Sequence, residues 1–90
     1  MYRIVLLPQA EADLVKLRKN DKASYIKCFD FIRELVVEPR NGTGKPERLR
    51  YFKDEVYSRR VNQEDRMVYT IYERTKTIDI SSFCSHYEKN

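Results

Sequence analysis

The chain has 90 residues, 41% of them hydrophobic and 12% aromatic, with only 2 Gly and 3 Pro; that is the size of one domain, residues 1–90, and excludes a disordered or low-complexity chain. Its 18 Lys+Arg against 14 Asp+Glu give +4, and residues 40–66 alone hold eight basic and five acidic side chains, which suits a polyanionic partner as well as a merely solvated surface. The longest apolar run, Ile4-Val5-Leu6-Leu7, is far short of a membrane span or a signal peptide, so a soluble cytosolic protein is expected.

Tyr2 to Leu7 is β-branched and aliphatic, which predicts a first strand ended by Pro8. Pro8 suits the first turn of a helix, where its missing N–H would have no partner. Ala10, Leu14 and Leu17 then form one apolar stripe, with Glu11, Asp13, Lys16 and Arg18 facing away from it. Asn20-Asp21 breaks the pattern and offers a cap for a second helix. There Tyr25, Cys28, Phe29, Ile32 and Val36 repeat at helical spacing until Pro39.

Asn41-Gly42-Thr43-Gly44-Lys45-Pro46 is a loop holding both glycines. After it the period changes to two. Val56 to Val61, Met67 to Glu73 and Thr77 to Phe83 read as strands joined by turns at Asn62–Asp65 and Arg74–Lys76, with Glu47 to Phe52 a short strand or an extended lead-in. The fold class is α+β: an N-terminal strand, a two-helix hairpin on one face, then an antiparallel three-stranded meander joined by the first strand. In the strand after the loop, Tyr57, Arg59 and Val61 share one face and Ser58 and Arg60 the other. Arg59 and Arg60 therefore cannot both be buried.

Candidate chemistry is sparse. Cys28 and Cys84 read as reduced, buried thiols. With the single histidine, His86, they are too few for a structural zinc site, and no metal or cofactor is expected. A Cys84–His86 nucleophile lacks a backing carboxylate. Metal-free RNA cleavage needs a base for the ribose 2′-OH, an acid for the leaving 5′-oxygen and fixed cations for the phosphorane. Glu47, within Lys45-Pro46-Glu47-Arg48-Leu49-Arg50, is a base, His86 an acid, and Arg60 and Arg66 are cations flanking a turn. Taken singly, each has a plainer reading: a tail histidine, an ion-paired glutamate, a solvated strand face.

Taken together, Gly44-Lys45-Pro46-Glu47-Arg48-Leu49, then Tyr57-Ser58-Arg59-Arg60-Val61 with Arg66-Met67-Val68-Tyr69, then His86-Tyr87 resemble the YoeB/Txe branch of the RelE/ParE toxins of bacterial type II toxin–antitoxin modules. The motifs span about residues 42–87, and the β-α-α-β-β-β order extends the resemblance to a RelE-like microbial RNase fold. The resemblance implies a ribosome-dependent endoribonuclease that cleaves mRNA in the ribosomal A site and leaves a 2′,3′-cyclic phosphate. On it, Glu47 is the general base, His86 the general acid, Arg66 the arginine at the scissile phosphate and Tyr87 the aromatic beside the histidine. Lys45, Arg50, Arg59 and Arg60 would bind RNA. It further implies a cognate YefM/Phd-like antitoxin, contact with rRNA and mRNA in the bacterial cytoplasm, and a homodimer or toxin–antitoxin hetero-oligomer with no membrane association. Two positions depart from the pattern: Glu88-Lys89-Asn90 follow the His-Tyr pair, and Tyr57 stands where some members have Trp. A gyrase-inhibiting protein of the ParE branch and a non-catalytic RNA- or protein-binding relative are the competing readings.

Overall fold

The computed structural model describes residues 1–85 and has the element order β1 (Arg3–Leu6), α1 (Pro8–Asn20), α2 (Lys22–Val37), β2 (Glu47–Arg48), β3 (Glu55–Arg60), β4 (Arg66–Tyr72) and β5 (Thr77–Ser85). Pro8 opens α1 as expected. The Asp21 carboxylate caps α2 by accepting the Ser24 amide at 3.1 Å. Only an N–H without a helical partner needs such a cap, which is why this short joint suffices between the helices.

The sheet is five-stranded and mixed, in the order β1-β5-β4-β3-β2, rather than the expected three-stranded meander joined by one strand. Strands β3, β4 and β5 form the antiparallel meander, β1 lies parallel to β5, and β2 adds antiparallel to β3 at the far edge. A parallel neighbour needs a long crossover, and here the whole of α1, α2, β2, β3 and β4 intervenes between β1 and β5. Strand β2 stops at two residues, since Pro46 lacks a donor before it and Tyr51 turns the chain at φ 72° after it.

Both helices pack on one face of the sheet. Ala10, Leu14 and Leu17 of α1 and Cys28, Phe31 and Leu35 of α2 close over Met67, Tyr69, Ile71, Ile78, Ile80 and Phe83. The stripe of α2 is rotated from the expected one: Ser24, Cys28, Phe31 and Leu35 are buried, while Phe29 is 36% exposed. This helix is apolar around more than half its girth, so periodicity alone permits either stripe, and packing against the sheet selects one. Asp13, expected on the outer side of α1, is buried at 5% exposure.

Arg59 corrects a further expectation. Instead of lying on an RNA-binding surface it has 0% exposure, on the helix-covered face of β3. Its Nε donates to the Tyr69 hydroxyl at 3.1 Å and Nη1 to Glu34 Oε1 at 2.5 Å and the Thr43 carbonyl at 3.2 Å. Nη2 donates to the carbonyls of Pro39 at 3.3 Å and Asn41 at 2.9 Å. A guanidinium has five N–H donors, and these five bonds use all of them. The Phe31 and Tyr69 rings lie 5.7 and 5.8 Å from its carbon. At the other end of the sheet Arg40 grips Glu55 through two bonds of 2.6 and 2.9 Å and reaches Glu73 at 3.0 Å.

Arg59→Ala takes the guanidinium away from three carbonyls and from the Glu34 carboxylate it neutralises, and we expect it to lower the unfolding free energy by about 3–5 kcal/mol. Arg59→Lys should recover little, because a point charge cannot span the five acceptors. Urea denaturation measures both, and unaltered stability in Arg59→Ala would return Arg59 to the surface.

Three carboxylates predict acid lability. Burial pushes Glu34 up, but the Thr43 hydroxyl and amide and the Arg59 guanidinium outweigh it and hold the group below the usual range. Arg40 lowers Glu55 against the effect of burial, and Lys76, Tyr2 and Arg40 take Glu73 down to about 2. A carboxylate whose pKa is lower folded than unfolded contributes stability above its unfolded value and loses it as pH falls through the folded one. The urea midpoint should therefore hold near neutrality and decline from the ordinary carboxylate value of 4.5 towards about 2. Glu34→Gln should remove part of that decline. A midpoint indifferent to acid would contradict the assignment.

Candidate active site

The site is built by the loop before β2. Gly44 takes φ 77° and Lys45 φ 51°, both left-handed. A Cβ on Gly44 would meet Phe31 ring atoms at 2.5 and 2.8 Å and Arg59 Cβ at 3.2 Å, so a side chain is excluded by space as well as by conformation. The Gly44 carbonyl accepts the Arg60 amide at 2.7 Å, clamping the loop to the end of β3. The chain then enters β2 in a register that sets Glu47 opposite Ser58.

That register decides the chemistry. Directly opposed residues share a face, so Glu47, Ser58 and Val68 stand on the side of the sheet away from the helices, as does the pair Arg60 and Arg66. Arg66 Nε donates to Ser58 Oγ at 3.0 Å, and Nη2 reaches Glu47 Oε1 at 3.4 Å. The Arg66 side chain is 14% exposed and that of Glu47 52%. The cation is thus held in place while the carboxylate remains open to solvent. Lys45, Glu47, Arg60 and Arg66 line a concavity of about 390 Å³, closed on one side by Asn62, Gln63 and Glu64. The turn is shaped by Asn62, whose Oδ1 accepts the Glu64 and Asp65 amides at 2.9 and 2.7 Å.

The structure therefore brings together Lys45, Glu47, Arg60 and Arg66. Arg50 stands apart, exposed in the turn after β2 and outside the concavity. Arg59 is in the core, and its neighbour Arg60 is the exposed member of the pair. His86 and Tyr87 lie outside the described residues. Strand β5 ends at Ser85, the Cα partner of Arg66. Ser58 was missed by sequence reasoning as a site residue, although its alternation with Arg60 already put it on the open face.

Thiol chemistry is opposed by the surroundings. Burial, together with Cys84 and the Asp13 carboxylate, pushes the Cys28 thiol up to about 12. Burial and Asp13 push Cys84 up to about 11. A thiol held far above neutral pH carries little thiolate. Both cysteines should accordingly react slowly with an aromatic disulfide reagent in the native protein near neutral pH and promptly in denaturant. Rapid native labelling of Cys84 would reopen a nucleophilic role.

The molecule is thus an α+β fold, a mixed sheet with two helices on one face and a carboxylate and cations around an open concavity on the other. The family model described as "YoeB-like toxin of bacterial type II toxin-antitoxin system" matches residues 7–87. The toxin YoeB of Synechocystis sp. is 35% identical over 77 residues, covering 86% of this chain and 87% of that one. The YoeB dimer structure from Staphylococcus aureus has a TM-score of 0.83 at 34% identity, over 96% of this chain and 98% of that one. The heterotetrameric YoeB–YefM complex from the same organism gives 0.79 at 34%, over 97% and 99%. The chain belongs to the YoeB-like toxins, the branch of the RelE/ParE superfamily that its motifs resemble.

Proposed function

We propose that this toxin is a ribosome-dependent endoribonuclease that cleaves mRNA in the A site and so arrests translation in the bacterial cytoplasm. The observation that carries the reading is the meeting of Glu47 and Arg66 on the open face, with Arg66 held by Ser58 and the carboxylate half-exposed. Glu47 takes the proton from the ribose 2′-OH as that oxygen attacks the adjacent phosphorus. Arg66, with Lys45 and Arg60 around the concavity, stabilises the charge on the phosphorane. His86 gives a proton to the departing 5′-oxygen, and Tyr87 stands beside it in sequence. The products are a 2′,3′-cyclic phosphate and a 5′-hydroxyl. The requirement for a 2′-OH makes the reaction specific for RNA.

Arg48 at the end of β2 and Arg50 and Lys53 after it are exposed and add basic surface for rRNA. Of the eight basic residues in the charged window, Arg40, Arg59 and Arg66 are each engaged by one of the protein's own acids, and the other five, Lys45, Arg48, Arg50, Lys53 and Arg60, add attraction for a polyanion. A YefM/Phd-like antitoxin is the partner expected from the S. aureus complex, and self-association from the S. aureus dimer.

The test is primer extension on purified ribosomes holding a defined mRNA, with a ribosome-free control. Wild type should cut at the codon in the A site. Glu47→Gln, Arg66→Ala and His86→Gln should each lose about 10²-fold or more while remaining folded. Equal rates in wild type and His86→Gln would remove the acid from His86. Intact mRNA with trapped gyrase–DNA cleavage complexes would replace the ribonuclease by the gyrase reading.

A further inference from the structure

The tip of the β2–β3 hairpin carries side chains that the fold itself does not use. The hairpin is closed by the Leu49 amide on the Val56 carbonyl at 2.8 Å, and residues 50–54 beyond it are all exposed. Two of these five are aromatic. Tyr51 is 100% exposed, barer than any other large apolar side chain among the described residues, and Phe52 is 58% exposed. Tyr51 also takes φ 72°, a left-handed conformation that strains a residue with a Cβ and costs glycine nothing. Among the described residues neither ring stacks on another or lies under a cation, so no packing offsets that strain.

The surroundings of the two rings are cationic. Arg48, Arg50 and Lys53 are exposed around them, against one acid of the tip, Asp54. None of the three cations forms an ion pair among the described residues. The next acid, Glu55, is gripped by Arg40 through bonds of 2.6 and 2.9 Å. An apolar partner seated on the rings would have to bury those cations without a counter-charge, which is unfavourable. An unpaired nucleotide meets both groups at once, its base against a ring and its phosphates against the cations. Only four residues separate Glu47 from Tyr51, at most about 14 Å of chain. A strand whose phosphate lies at Arg66 can therefore reach the tip.

We propose that the β2–β3 tip is a stacking platform for single-stranded RNA. An unpaired base of the mRNA packs on Tyr51, flanked by Phe52, while Arg48, Arg50 and Lys53 hold the neighbouring phosphates. The proposal rests on the ribonuclease reading for the identity of the strand, and it adds to that reading a contact outside the concavity. Every base has a π face, so the platform strengthens binding without selecting sequence.

The experiment titrates a short, unstructured, fluorescently labelled oligoribonucleotide with the toxin at several salt concentrations, without ribosomes. Tyr51→Ala should bind about tenfold more weakly or worse, the scale for one stacked base, with an unchanged salt slope. Arg50→Ala should lower that slope by about one. The chain has no Trp, so the indole of Tyr51→Trp reports alone; it should be quenched by the RNA at near wild-type affinity. A strand of the same length without bases should not distinguish Tyr51→Ala from wild type. Thermal melting should find Tyr51→Ala as stable as wild type, because the ring packs on nothing.

No binding by wild type at low salt overturns the proposal, as do wild-type affinity in Tyr51→Ala and an unquenched indole. A Tyr51→Ala defect confined to self-association, read by sedimentation, assigns the tip to a contact between copies and overturns it too. On programmed ribosomes Tyr51→Ala should bind more weakly only while the mRNA carries a base beside the cut. An equal loss with an abasic nucleotide there would move the ring onto rRNA and overturn the assignment to mRNA. The two readings fail separately. Stacking of the oligoribonucleotide on Tyr51 with uncut mRNA on ribosomes defeats the ribonuclease, whereas A-site cleavage with Tyr51→Ala at wild-type affinity defeats the platform.

Discussion

The Arg59 guanidinium is the interaction on which the rest of the structure leans. It is a full charge with no access to water, and such a group persists only where every donor is met. Meeting them takes Glu34 of α2, the Tyr69 hydroxyl of β4 and the carbonyls of Pro39, Asn41 and Thr43 from the connection into β2. Three alternate carbonyls of an otherwise irregular loop are thereby drawn to one point. The loop cannot move without leaving a buried charge unpaired. The next residues, Gly44 and Lys45, then turn left-handed against Phe31 and deliver Glu47 to its place opposite Ser58. The electrostatics of the core thus fix the position of a carboxylate on the opposite side of the sheet.

The two neighbouring arginines of β3 divide that work by strand alternation. Arg59 faces the helices and organises the loop, while Arg60 faces the open side with Glu47 and Arg66. Counting charge in the window around them treats both alike, although one is entirely consumed inside the protein. Arg40 is engaged similarly by Glu55 and Glu73. The field offered to a polyanion is therefore narrower than composition indicates and is concentrated at the concavity and beyond β2.

The open face is also shaped from its other edge. Because β5 runs past the end of β1, its last residues depend on α1 for hydrogen bonding, and the buried Asp13 supplies it by accepting the amides of Phe83 and Cys84 at 2.9 and 3.0 Å. Helix α1 consequently has two tasks: its leucines close the core, and its acid anchors the strand end that leads into the His-Tyr pair. Unpaired amides beside apolar core residues would be costly, which is a sufficient physical reason for a carboxylate at so enclosed a position.

Much of the architecture was legible before any coordinates. The change of period from helical to alternating, Pro8, Asp21, Pro39 and the two-glycine loop located both helices and the three long strands, because these signals are local in the chain. The residues Glu47, Arg60 and Arg66 were legible as a set through the family resemblance of the short motifs that hold them, and each of those motifs is local in the chain. The parallel seating of β1, the rotation of α2 and the burial of Asp13 and Arg59 were not. Each depends on groups far away in sequence: Asp13 lies 70 and 71 residues from the amides it holds, and Arg59 25 from its carboxylate. A charged side chain reads as exposed unless its partners are known, and partners for a buried charge are assembled only when the chain folds. The sequence by itself determined which elements form and which side chains can do chemistry. The tertiary structure decided which charges face the solvent, since burial is set by neighbours that the chain brings together from a distance.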